Sequence, residues 1–311
     1  MNARIRILAV GLFGLFAVGS RLAAQEPGAE KGLAKQLSAA AKRAVQAKQL
    51  LRYQFQPGES LQWQVTHLVT VETTIKGNTQ TAKTSSKSTK VWTVKDVDEA
   101  GNVTFVYSVS RINMWRKVSG SDEMRYDSEV DENPPLEYAH VASTVGVPLA
   151  SVTVSPSGRV IQRDDIPQPT NTGLGQIIRP LPEEPVEVGD SWRTTDEIHV
   201  RNQNGEVSRI KTRLVYTLKS YKAGVATISV KTEVLTPVED PRIKSQLVQQ
   251  VTNGEIKFDN DAGRILSQQI DWDDTVLGFN GPDSSMKHLA RFTEELIPAG
   301  ATAQKPSEGV R

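Results

Sequence analysis

The side chains best suited to chemistry near neutral pH are four histidines, His67, His140, His199 and His288. A histidine can serve as a general base or hold a transition metal, but either task needs partners. No two of the four lie within four residues of each other, so the sequence holds no local metal pair. His67 falls on the apolar side of an alternating stretch. It reads either as a buried general base or as a rim or core histidine with a satisfied hydrogen bond. The second reading is preferred because no nucleophile motif accompanies it. Nucleophile elbows, phosphate loops and dinucleotide fingerprints are absent from the sequence.

Two acidic clusters invite a calcium reading: Asp259-Asn260-Asp261, and Asp271 with Asp273-Asp274. Calcium needs six to eight converging oxygens. The spacing lacks the calcium-loop pattern, and Asp-Asn-Asp-x-Gly is ordinary hairpin chemistry. A turn and a solvated strand face are therefore expected. Five tryptophans, Trp63, Trp92, Trp115, Trp192 and Trp272, could line a ligand cavity; core between sheet layers is the preferred reading. The chain has no Cys, which removes thiol catalysis, Cys-based zinc sites and disulfides. The sequence thus assigns no catalytic, cofactor-binding or metal-ligating residue and implies no cofactor.

These side chains must be positioned by the elements around them. The 311 residues suffice for one large or two ordinary domains, and a net charge of +1 names no nucleic-acid partner. At the start, Arg4 and Arg6 precede an apolar run from Ile7 to Val18, then small residues. This reads as a signal peptide over residues 1–24, cleaved or kept as an anchor, and implies a secreted or periplasmic bacterial protein. Removing it takes away three Arg, so +1 becomes −2. Residues 25–52 carry six Lys or Arg against two Glu, net +4, which leaves residues 53–311 at −6. A basic arm precedes an acidic body. Within the arm, 28–50 reads as helix: Leu33, Leu37, Ala40, Ala44, Ala47 and Leu51 share one face. Its thin stripe favours a helix docked on the acidic body, or a partly ordered arm, over contact with a membrane surface or a coiled-coil partner.

From Tyr53 the period becomes two. Leu61, Trp63, Val65, Val69, Val71 and Ile75 alternate with polar residues, Gly77-Asn78 turns the chain, and a Thr- and Ser-rich return ends at Val91-Trp92-Thr93-Val94. Val103, Phe105, Tyr107 and Val109 alternate, then the apolar parity switches to Ile112 and Met114, which implies a bulge. Five prolines within 163–187 mark a Pro-rich linker over 166–187. A second β unit spans 188–297 and the first spans 53–165. The phrase Gly58-Glu59-Ser60-Leu61-Gln62-Trp63 returns as Gly189-Asp190-Ser191-Trp192. The offset is 131 at these glycines and 124 from Trp92 to Tyr216, as expected of an internal repeat with unequal loops. A disordered tail is expected over 298–311.

The phrases Tyr53-x-Phe55-x-Pro57-Gly58-Glu59, Val188-Gly189-Asp190-Ser191-Trp192 and Val152-x-Val154-x-x-x-Gly158-x-Val160 resemble an uncharacterised family of secreted, β-rich bacterial proteins. The resemblance spans about residues 50–297 and supplies no known site residues. More remotely, the long antiparallel strands resemble half-barrel carriers that ferry lipoproteins or lipids across the periplasm.

The expected fold is mainly β: two related antiparallel units, forming a curved or half-barrel-like sheet or two subdomains, preceded by an N-terminal α-helix. The expected function is non-enzymatic, as an extracytoplasmic binding or envelope-structural protein. The alternatives are a carrier of a lipid or other apolar ligand in a half-barrel cavity and, behind it, a hydrolase. The partner is an apolar ligand or an envelope protein. The loops at 119–148 and 163–187 are the first places to look for a site.

Overall fold

The turn Lys76-Gly77 shows how the sheet is built. Both residues have positive φ, 50° and 79°. A two-residue loop of this kind has the twist that joins adjacent antiparallel strands. It links β1 (Ser60–Ile75) to β2 (Asn78–Val97), whose register runs unbroken from Ile75↔Asn78 to Ser60↔Thr93. The turn lies one residue earlier than Gly77-Asn78, because the glycine takes the second left-handed position. Ala223-Gly224 repeats the device between β8 (Val207–Lys222) and β9 (Val225–Val234).

The computed structural model describes residues 48–165, 178–201 and 204–298, all within one unit, Val45–Arg311. The remaining strands are β3 (Val103–Val118), β4 (Met124–Asp127), β5 (Pro148–Val154), β6 (Val160–Asp165), β7 (Ser191–Arg201), β10 (Asn253–Asp259), β11 (Arg264–Leu277) and β12 (Ser284–Leu296). A 3₁₀ turn, Leu136–Tyr138, leads into the short helix α1 (Ala139–Ala142). Helix α2 (Pro241–Leu247) starts on an Asp240 cap that accepts from the Arg242 N–H, with Pro241 in its first turn.

All twelve strands form one antiparallel sheet, in the order β6-β5-β3-β2-β1-β12-β11-β10-β9-β8-β7, with β4 also paired to β3. The two expected β units are therefore one sheet, joined where β1 pairs with β12 from Trp63↔Leu296 to Ile75↔Ser284. The sheet is rolled. Ten strand spacings separate β6 from β7, about 48 Å if the sheet were flat. Yet Val160 and Arg163 of β6 and Trp192 and Asp196 of β7 line one cavity of about 480 Å³. The two edges face each other across an open seam.

Residues 178–187 fill that seam. Ile178, Leu181 and Val186 are buried in the main core, and the Trp192 Nε1–H donates to the Pro180 carbonyl at 2.9 Å. This half of the expected linker is part of the body, because its apolar side chains have the interior of the roll to enter. Residues 48–55 cross beneath it: the Tyr53 N–H donates to the Pro156 carbonyl and the Gln54 N–H to the Gly263 carbonyl. The expected helical arm is corrected here. Residues 48–52 are not helical; Gln49 bridges to Val186 and Leu51 is fully buried. The rest of the arm, the signal peptide at 1–24 and the tail beyond Pro298 lie outside the described residues.

The parity switch in β3 is a bulge: Lys90 pairs with Val109 and Thr89 with Arg111, so Ser110 has no opposite number. Trp63, Trp92, Trp192 and Trp272 lie on the inner face of one rolled sheet rather than between two layers, and Trp115, in the row of Ser85 and Leu68, is half-buried on the outer face. Trp63 and Trp92 lie 4.8 Å apart by ring centroid, and Trp92 stacks on Phe105 at 4.3 Å. The two Gly-acid-Ser phrases fold alike. The Gly58 N–H donates to the Val94 carbonyl and the Val94 N–H to the Glu59 carbonyl; Gly189, Leu218 and Asp190 make the same two bonds.

Candidate functional site

Directly paired residues of an antiparallel sheet share a face, so the register identifies the inside of the roll. Trp63 is core; the rows paired with its parity are inner. On β1 these are Trp63, Val65, His67, Val69 and Val71. Their partners are Leu296, Glu294, Phe292, Ala290 and His288 on β12, with Gln268, Ile270, Trp272, Asp274 and Val276 next to them on β11.

A polar layer crosses this inner face. Lys90 of β2 and Glu294 of β12 form an ion pair over β1, both almost fully buried. Gln268 Nε2 donates to the second Glu294 oxygen at 2.8 Å, and Arg179 Nε donates to Gln268 Oε1 at 2.9 Å. The Lys90 ammonium also lies over the Trp63 and Trp92 rings, 4.6 and 4.9 Å from their centroids. Burial pulls the Lys90 pKa down, and the Glu294 charge and hydrogen bond oppose it. Burial, with Glu294 adding to it, pushes Tyr107 up to about 12. Below this layer the roll is filled by Trp63, Trp92, Phe105, Tyr216, Phe258 and their neighbours.

Above the layer the inner rows are mixed: Ile270, Val276, His288 and Ala290 are buried, while Ser86 and Thr84 continue the rows on β2. Val65, Val69, Val71, Trp272 and Phe292 are half-buried and His67 is exposed. His67 packs its ring against Trp272 and Phe292, at centroid distances of 6.0 and 6.3 Å. Desolvation lowers its pKa, and His288 adds to the effect. His288 is 4% exposed, and burial lowers its pKa against the pull of Asp274 directly opposite. Two polar atoms in this wall are buried and make no hydrogen bond: Trp272 Nε1 and His288 Nδ1. Trp272 pairs with Ala290, so Trp272 and His288 are diagonal neighbours, about 7–8 Å apart at the backbone.

The wall is flanked on both sides. Asn113–Arg116 of β3 pair with β4 and Val103–Ser108 with β5, so residues 128–147 are an insertion between two strands that follow each other along β3. Its Val141 and Val145 pack on Val109, Ile112 and Leu149. On the other side Ile243 and Leu247 of α2 pack on Ile198, Val200 and Ile210. Between α2 and the upper end of β11 lies a cavity of about 510 Å³, lined by Val238, Leu247, Val248 and Val276 with Lys244 and Asp274.

The histidines fall in different places. His67 and His288 share the inner face of adjacent strands but stand four residues apart in register, about 13 Å along the strands. His140 is in α1, and His199 is exposed on the other face of β7. Asp259 accepts from the Ala262 N–H inside the hairpin turn, as its sequence suggests, and Asp271 pairs with Arg291 on the outer face. Among the described residues no three His, Asp or Glu side chains gather as a metal site. Sequence reasoning missed Lys90 and Glu294. Their signal was available: each is a charge on the apolar parity of its strand, Lys90 with Trp92 and Val94, Glu294 with Phe292 and Leu296.

Comparison with known proteins gives little to set beside this geometry. No curated protein matches the chain. A structure described as showing lipid–protein interactions in lipovitellin is similar at 16% identity and a TM-score of 0.46, over 82% of this chain and 27% of that one. The chain thus spans about a quarter of the length of that relative. DynF, from the dynemicin biosynthesis pathway of Micromonospora chersina, is similar at 6% identity and a TM-score of 0.21, over 81% of this chain and 88% of that one. Neither similarity is close enough to assign a fold or a ligand. Residues 170–265, less than a third of the chain, match the model of a family described as a family of unknown function, DUF6263. Over that stretch the chain is similar to an uncharacterised family.

Proposed function

We propose that this chain is an extracytoplasmic, non-enzymatic binding protein that carries an apolar molecule against the upper inner face of its sheet. One observation carries the reading. Above the Lys90–Glu294 layer the inner rows of β1, β12 and β11 leave Val69, Val71, Trp272 and Phe292 partly exposed beside the buried Ile270 and Ala290. Apolar surface on the inside of a rolled sheet gains free energy when a ligand covers it, and such sites are concave and mainly apolar with a few placed polar groups. The flanking insertion and α2 give the wall two sides. The non-enzymatic part is supported by the positions of His67 and His288, four residues apart in register, and by the sequence, which holds no nucleophile motif to go with either. Export is read from the basic, apolar and small residues of 1–24.

Organic extraction of the protein purified from its own host, followed by mass spectrometry, tests the reading. An apolar compound in stoichiometric amount is expected. A ligand-free protein that also fails to bind 1-anilinonaphthalene-8-sulfonate would contradict it and would favour a purely structural role in the envelope.

A further inference from the structure

The apolar wall is not uniform: it contains two polar atoms that the fold buries and leaves without partners. Trp272 Nε1–H is a donor only, and a buried donor without an acceptor is destabilising. His288 Nδ1 is likewise unpartnered, and its residue is 4% exposed. Natural proteins satisfy nearly all such groups; Thr89, Trp92, His140 and Tyr216 also carry one among the described residues, but Trp272 and His288 are diagonal neighbours on one face of adjacent strands. Trp272 is paired with Ala290, and its ring meets that of His67; His288 is paired with Val71 on one side and Asp274 on the other, and its Nδ1 makes no hydrogen bond to either.

We propose that this pair reads the polar group of the bound ligand, and that the group is an uncharged oxygen function, a hydroxyl or ester, on an otherwise apolar molecule. The inference rests on the reading of an apolar ligand given above. A hydroxyl oxygen accepts from the Trp272 Nε1–H and gives its own proton to His288 Nδ1; an ester carbonyl accepts from both when Nδ1 bears the hydrogen. Charge sorts the alternatives. Asp274 stands directly opposite His288, so a carboxylate or phosphate placed here would face a like charge. Lys90 of the inner face is held by Glu294 below, and Lys244 lines the cavity that Asp274 also lines. An ammonium group has no lone pair for the tryptophan N–H. Burial keeps His288 from taking a proton readily, which leaves its ring able to accept.

The test uses four probes with one alkenyl chain and different ends: oleyl alcohol, oleate, oleylamine and 1-octadecene. Each is titrated into the delipidated full-length protein and followed by tryptophan fluorescence. Oleyl alcohol is expected to bind about 10-fold more tightly than the other three, as one or two hydrogen bonds to buried groups would give. In Trp272→Phe and in His288→Phe that preference should shrink by about 3–10-fold while 1-octadecene binding holds. Equal affinity for the alcohol and the hydrocarbon, or a preference for oleate or oleylamine, overturns the inference and leaves the apolar-ligand reading standing. Failure of all four probes to bind overturns both. The ranking in the unsubstituted protein decides the matter even if a variant fails to fold.

Discussion

Lys90 and Glu294 meet over β1 as a buried ion pair, at the level where the inner face of β1 passes from the buried Trp63 to the half-buried Val69 and Val71. The Lys90 and Glu294 side chains are 11% and 4% exposed. Removing one partner of such a pair strands a charge in a low-dielectric site, whereas replacing both is far milder. Lys90→Met should therefore destabilise the protein by about 3–5 kcal/mol. The double variant Lys90→Met, Glu294→Met should recover most of that. Urea denaturation of the two variants measures the difference.

Gly158 and Gly77 make a second comparison. Both have φ near 80°, but a Cβ at Gly77 meets nothing within 4 Å, while one at Gly158 falls 2.6 Å from the Arg179 carbonyl oxygen and 2.8 Å from the Tyr53 ring. Gly77→Ala should cost about 1 kcal/mol, from left-handed strain alone. Gly158→Ala should cost about 2–4 kcal/mol, because the strap at Tyr53 and the seam segment at Arg179 must also shift. Equal melting temperatures for the two variants would mean that strap and seam are not packed as described.

Acid should weaken the fold through the upper wall. The His288 pKa is lowered in the folded state by burial, and that of His67 is lowered too. The unfolded chain therefore takes up protons first as pH falls below the ordinary histidine value of about 6.5. Stability is present above that pH and is lost as pH falls toward the folded-state values. His288→Phe should flatten the loss of stability between pH 7 and pH 5, measured by urea titration at each pH.

Much of the fold was legible in the sequence, and the reasons differ by element. Period two marked the strands because one face of each is buried, and the switch from Val109 to Ile112 located the bulge at Ser110. The Gly58 and Gly189 phrases were read as turns, and they make the same backbone bonds. Other features were not legible because they depend on how the sheet rolls. Leu51 continued a helical spacing in sequence, yet it is buried beside an extended strap, since the spacing cannot say which surface lies next to it. Ile178 and Leu181 sat in a proline-rich stretch with no period, so nothing local announced that they fill a seam. The wall of the candidate site joins Trp272 to His67, residues far apart in sequence that only the order β1-β12-β11 brings together.

The most direct measurement is native mass spectrometry of the protein purified from its own host, alongside a Val69→Lys variant. Val69 lies half-buried on the inner face opposite Ala290, above the polar layer, so the variant places a charge on the proposed binding wall. A bound apolar molecule on the unsubstituted protein, absent from the variant at an unchanged fold, is the expected result. A chain of bare mass in both, or a ligand that the variant retains, would contradict the account.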